Sequence, residues 1–232
     1  MNGDINSDFR VNLLDLNIAL HNNSTVEDII NSWNEYYTLK NTLKIYGLDD
    51  SLLQNIQDKN VTQSSYSSID KNNISKIIGT DSLETISVEA FSQCTNLDSV
   101  DFTGCTDLSS IGANAFYQCR ALTSVYFTDC SGLTTIDLRA FRDCNALESV
   151  DFTGCDSLQT IGNYAFYGCY PLLSLDFTGC DSLQRIGVWS FYRCRNLTSV
   201  NFTDCSSLSL IGVWAFRDCN LLESVDFTGC DS

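Results

Sequence analysis

The sequence predicts an α/β solenoid in which short parallel strands stack turn upon turn, and three observations predict it. From Leu83 to Ser232 one pattern recurs six times at a constant period of 25, with no insertion or deletion. All 12 cysteines fall into two columns of that frame: Cys94, Cys119, Cys144, Cys169, Cys194 and Cys219 in one, and Cys105, Cys130, Cys155, Cys180, Cys205 and Cys230 in the other. Twelve of the 13 phenylalanines keep the same frame. A fixed period of this size marks supersecondary units that cannot bury their apolar faces alone and do so against their neighbours. The composition, 44% apolar and 18% charged, is that of an ordered globular chain.

Within a turn, Val125 and Phe127 are two apart and share one face of a strand, while Ser124, Tyr126 and Thr128 point the other way. The stretch around Ala115, Phe116, Cys119 and Leu122 has apolar positions three to four apart, which suits a short helix or helical turn on the opposite, convex side. The segment Leu122-Thr-Ser-Val125-Tyr-Phe127-Thr-Asp-Cys130 fits L-x-x-L-x-L-x-x-C in all six turns, and so resembles leucine-rich repeats. The phrase I-G-x-x-A-F-x-x-C-x-x-L-x-x-V, read from Ile161 to Leu175 with Leu175 in place of the Val, resembles BspA-type repeats, and the paired cysteines resemble the cysteine-containing repeats of F-box proteins. The resemblance implies a curved leucine-rich repeat solenoid and a role in protein recognition, cell-surface adhesion or substrate recruitment for ubiquitination. The six repeats span 83–107, 108–132, 133–157, 158–182, 183–207 and 208–232.

The region 1–82 carries all five lysines and no cysteine, and is expected to form a helical cap over the first turn. Ser24-Thr-Val-Glu27 reads as a capping box, followed by Val26, Ile29, Ile30, Trp33, Tyr37 and Leu43 at helical spacing up to Gly47. A second short helix is expected over Ser51 to Gln57, a loop or linker over Asn60 to Asn73, and a degenerate strand over Ile74 to Ile78. An F-box lacks its usual leading Leu-Pro here. At the other end Ser232 closes the sixth repeat with no comparable cover, so either the chain continues or that end packs on another molecule, head to tail or as a dimer.

Three fates are open to the cysteines. Adjacent strands lie about 4.8 Å apart, within reach of a disulfide, but parallel side-chain vectors and the absence of a signal-peptide pattern before Leu20 favour buried reduced thiols. Their alternating spacings, 11 and then 14, do not gather the close pairs that structural zinc needs. The expectation is therefore no metal, no cofactor, and a cytoplasmic location, with the family resemblance implying a cell surface instead.

The chain carries 29 acidic and 13 basic residues, a net charge of −16, with no lysine after Asp81. Neither nucleic acid nor an anionic membrane suits such a balance, and no stretch is apolar enough to insert in a bilayer. Catalysis has little to use: His21 is the single histidine, and no nucleophile, phosphate-loop or dinucleotide motif accompanies it. A non-enzymatic protein-binding module is expected, the rival being a structural, adhesive or self-assembling repeat protein. Two surfaces are candidates. The concave column Asp101, Tyr126, Asp151, Asp176, Asn201 and Asp226 places like charges side by side, which a basic partner would relieve. The convex positions Tyr164, Tyr167, Trp189, Tyr192, Arg193, Arg195, Trp214 and Arg217 are of the types that dominate interface hot spots.

Overall fold

The computed structural model describes residues 43–230. The capping box, the helical positions up to Tyr37, and His21 lie outside them. The described part of the expected helical cap is a β-hairpin: β1 (Leu43–Gly47) pairs antiparallel with β2 (Leu52–Ile56). This corrects the Leu43–Gly47 end of the first expected helix, and the second one over Ser51 to Gln57. The reason is a period of two: Leu43 and Ile45 are buried while Lys44 and Tyr46 are half-buried between them. The reversal is tight, with Asp50 at φ 59° and the Asp49 carboxylate accepting from the Ser51 N–H at 3.1 Å.

The solenoid walls begin before Leu83. β3 (Asn60–Val61) and β4 (Ile74–Ile78) form a turn whose strands lie parallel to those of the first full repeat, β5 (Thr85–Ile86) and β6 (Ser99–Asp101). Val61 pairs with Ile86 at the full repeat spacing, but Ile77 pairs with Val100, two positions short of it. This leading turn is thus irregular in length, and its Asn60–Asn73 stretch holds two 3₁₀ turns as well as β3. On its far side β4 pairs antiparallel with β1, so the hairpin covers the stack edge of the three-residue strands.

Each later repeat adds one two-residue and one three-residue strand: β7 (Ser110–Ile111) and β8 (Ser124–Tyr126), β9 (Thr135–Ile136) and β10 (Ser149–Asp151), β11 (Thr160–Ile161) and β12 (Ser174–Asp176), β13 (Arg185–Ile186) and β14 (Ser199–Asn201), β15 (Leu210–Ile211) and β16 (Ser224–Asp226). The two-residue strands form one unbroken parallel sheet from β3 to β15. The three-residue strands form the strand wall, anticipated as the concave face.

The third side of each turn is not helical, and this corrects the α/β class to a β-solenoid. Residues 89 and 93 and their equivalents adopt left-handed backbone, from Glu89 (φ 58°) to Trp214 (φ 59°) in one column and from Gln93 (φ 62°) to Asp218 (φ 61°) in the other. Alternate N–H groups then point out of the turn: Glu89, Phe91 and Gln93 donate to the carbonyls of Ala113, Ala115 and Tyr117 in the next turn at 2.7–2.9 Å. The backbone donors are satisfied between turns rather than by an i→i−4 helix. This third side, anticipated as the convex face, is the turn wall.

Glycine is required where the turns approach most closely. A Cβ at Gly187 would lie 2.5 Å from the Gly162 carbonyl carbon, which explains the I-G step of the motif.

Two aromatic columns fill the interior. Tyr66, Phe91, Phe116, Phe141, Phe166, Phe191 and Phe216 stack with centroids 5.0–5.5 Å apart and planes within 12° of parallel. Phe102, Phe127, Phe152, Phe177, Phe202 and Phe227 form the second column at 5.0–5.8 Å. Tilted and edge-on contacts at 6.2–6.4 Å join the columns.

The strand wall is interrupted once. β10 and β12 belong to different sheets, whereas Phe127 and Phe177 on either side donate to the next turn's Asp151 and Asn201 carbonyls at 2.9 Å. This is the one junction where two aspartates, Asp151 and Asp176, are neighbours in their column. In the next turn Asn201 Nδ2 instead donates to Thr178 Oγ1 at 2.9 Å. Asp176→Asn is expected to supply the same bond toward Thr153 while removing one of two like charges. Thermal unfolding at pH 7 should show a gain of about 0.5–1.5 kcal/mol; an unchanged midpoint would mean that charge is not what interrupts the wall.

Candidate functional site

The thiols are structural donors. In ten of the twelve, the Cys Sγ donates to the carbonyl of the stacked phenylalanine in the preceding turn, as Cys119 to Phe91 at 3.1 Å and Cys130 to Phe102 at 3.0 Å. The longest of these, Cys180 to Phe152 at 3.9 Å, lies at the interrupted junction. All twelve are free thiols, and ten are fully buried. Burial pushes Cys94 up to about 11 and Cys130 up to about 12, so these sulfurs stay protonated and unreactive at neutral pH. Among the described residues no group of three or more His, Cys, Asp or Glu side chains is placed to hold a metal.

The strand-wall carboxylates have local work. The Thr103, Thr153, Thr178 and Thr228 N–H groups donate to Asp101, Asp151, Asp176 and Asp226 at 2.8–3.0 Å, and Thr203 does the same to Asn201. Each acid thus closes an Asx turn at the end of its strand. Tyr126 cannot, and projects with 41% of its surface exposed. Burial raises the Asp151 pKa, but hydrogen bonds from Thr153 and Thr128 outweigh it, so the carboxyl titrates below its usual value. Its stabilising contribution is present above the usual carboxylate range and fades as pH falls through that lowered value.

The turn wall brings the anticipated convex residues together. Trp189 lies 4.6 Å from Tyr192, 5.9 Å from Tyr164 and 6.3 Å from Tyr167, and meets Trp214 edge-on at 5.1 Å. Tyr164, Tyr167 and Trp189 are partly exposed and Trp214 is 50% exposed. Tyr192, expected at the surface, is buried beneath this cluster. Arg193 and Arg217 stack on the Tyr192 and Trp214 rings at 5.1 and 5.3 Å, and both approach Asp218 at 3.8 Å. Arg195 stands apart from the cluster and over Tyr170, at 5.2 Å.

Two residues absent from the sequence-derived set belong to the same surface. Arg139 lies over Tyr164 at 5.5 Å and Arg142 over Tyr167 at 4.8 Å. The signal was available: Arg139 occupies the column of Tyr164, Trp189 and Trp214, and Arg142 that of Tyr167, Tyr192 and Arg217. The rings are held at a cost, since Tyr164, Trp189 and Trp214 all sit at φ 59–60°. Left-handed backbone costs a bulky residue about 1 kcal/mol or more, and glycine or asparagine would lower it.

With this geometry the chain belongs to the BspA type leucine-rich repeat family, whose model matches residues 49–148 and 109–230 in six copies. Among solved structures it is similar to a leucine-rich repeat protein of T. pallidum, at 25% identity over 79% of this chain and 89% of that one, with a TM-score of 0.48. It is also similar to a leucine-rich repeat protein from Bacteroides ovatus (22% identity, 66% of this chain and 64% of that one, TM-score 0.39). A leucine rich cell surface protein from Faecalibacterium prausnitzii is 20% identical over 83% of this chain, which spans 54% of its length, with a TM-score of 0.44. No curated protein sequence matches the chain.

The thiol geometry has a direct test. Native protein at pH 8 should resist iodoacetamide at the ten buried cysteines and label first at Cys219 and Cys230, the two that are partly exposed. Its melting temperature should be the same with and without reductant. Rapid labelling of Cys144 or Cys169, or a melt that reductant shifts, would contradict this packing.

Proposed function

We propose that this chain is a non-enzymatic protein-interaction module that engages its partner through the turn wall. The observation that carries the reading is the contiguous aromatic and guanidinium cluster from Arg139 to Arg217, built on backbone positions that disfavour large side chains. Rings so placed are costly to the fold yet partly open to solvent, which suits contact with something outside it. Tyr and Trp bury much area with little loss of side-chain entropy, and Arg on a ring face keeps its outer N–H groups for a partner.

The strand wall is less suited to that task. Its acids already serve as turn caps, and its side chains are nearly the same from turn to turn. The turn wall changes from Glu89 and Asn114 to Arg139, Tyr164 and two tryptophans along one column, and so offers the differences that a specific partner can read.

Trp214 is the residue to change, because its half-exposed ring contributes less to the core than Trp189. With the purified chain as bait, Trp214→Ser should weaken retention of its partner by at least about tenfold while moving stability by no more than about 0.5 kcal/mol. Asp151→Lys with Asp176→Lys should leave retention intact. Binding lost on reversing the acids but kept without Trp214 would assign recognition to the strand wall.

A further inference from the structure

Beside the aromatic cluster, the turn wall of the first three repeats is indented by a groove of about 290 Å³. Glu89, Gln93, Asn114, Tyr117, Arg139 and Arg142 line it. Arg139 forms no ion pair among the described residues, and its Nε is buried without a hydrogen-bond partner. Burying that N–H unpaired is costly, and the outer N–H groups of Arg139 likewise have no protein acceptor among the described residues, so they are the donors that an acceptor in the groove would meet. Arg142 makes one ion pair among the described residues, its Nε meeting Asp143 at 3.3 Å.

We propose that this groove receives a carboxylate of an acidic peptide segment on the partner. The inference rests on the interaction reading above for the partner being a protein, but not on Trp214. Three features select the ligand. Arg139 and Arg142 are steadied by the Tyr164 and Tyr167 rings behind them, so their forked N–H edges are pre-aimed, the arrangement that recognises a planar carboxylate. Those same guanidiniums cover the ring faces on which a sugar would stack, leaving Tyr117 as the one aromatic in the lining. Finally, Glu89 lines the groove and Asp143 accompanies Arg142, so these two acids offset the two guanidiniums and the groove suits a monoanion better than a phosphate dianion. Gln93 and Asn114 add side-chain amides able to bond a peptide backbone.

Fluorescence anisotropy with a labelled hexaglutamate peptide tests the assignment on the full chain at low salt. Saturable binding is expected. It should weaken at least about tenfold in Arg139→Gln and in Arg142→Gln, weaken with added salt, and be absent with hexaglutamine. Circular dichroism establishes that each variant is folded; should Arg139→Gln unfold, the partly exposed Arg142 still gives the readout. No saturable binding up to millimolar peptide, or binding by both variants as tight as by the unaltered chain, would overturn the proposal. Tighter binding of a hyaluronan hexasaccharide than of hexaglutamate would overturn the peptide assignment. Hexaglutamate binding that persists in Trp214→Ser, beside partner capture lost in the same variant, is the expected result. Capture lost without any hexaglutamate binding would sink the groove and leave the interaction reading standing.

Discussion

The repeated residues of the solenoid stack on their counterparts one turn away, and the two phenylalanine columns turn that repetition into a physical constraint. Parallel strands in a sheet repeat at about 4.8 Å, close to the separation at which offset rings make good contact. The observed centroid distances of 5.0–5.8 Å let sheet and rings be satisfied together. A longer turn would place a ring against a neighbour of the wrong type and a thiol away from its carbonyl. The absence of any insertion over six repeats follows from that. So does the thiol pattern, since each Sγ reaches back to the carbonyl of the preceding turn's stacked phenylalanine.

The interrupted strand wall shows which contacts are dispensable. At the β10 and β12 junction the strand hydrogen bonds are missing and the Cys180 thiol reaches 3.9 Å, yet Phe152 and Phe177 still stack at 5.0 Å. The two-residue sheet also continues there, Thr135 pairing with Thr160. One wall can lose its ladder locally while the interior and another wall keep the register.

Much of this was legible in the sequence because it repeats. The cysteine and phenylalanine columns, the strand at Ile74–Ile78 and the outward Ser and Thr rows all appear where the spacing puts them. What escaped was non-repetitive or carried by backbone. The leading turn lacks cysteine, has Tyr66 in place of phenylalanine and is irregular in length, so it offers no frame to align. The hairpin of β1 and β2 has too few buried residues to separate a period of two from helical spacing. The left-handed turns bear Glu, Gln, Arg and Trp rather than glycine, and three-to-four spacing alone suggested a helical turn instead. The groove joins side chains from three repeats, and only the wall's geometry sets them beside one another.

The turn wall inherits its order from the interior, because Tyr164, Trp189 and Trp214 are aligned only if Phe166, Phe191 and Phe216 are. The most direct measurement is therefore a double-mutant cycle in urea on Phe141 and Phe166, whose rings stack at 5.1 Å and 6°. Phe141→Leu, Phe166→Leu and the double variant should show a coupling of about 0.5–1.5 kcal/mol, with the distant pair Phe141 and Phe216 additive. Additivity of the stacked pair to within about 0.3 kcal/mol would contradict the claim that ring-on-ring registry holds the turns together.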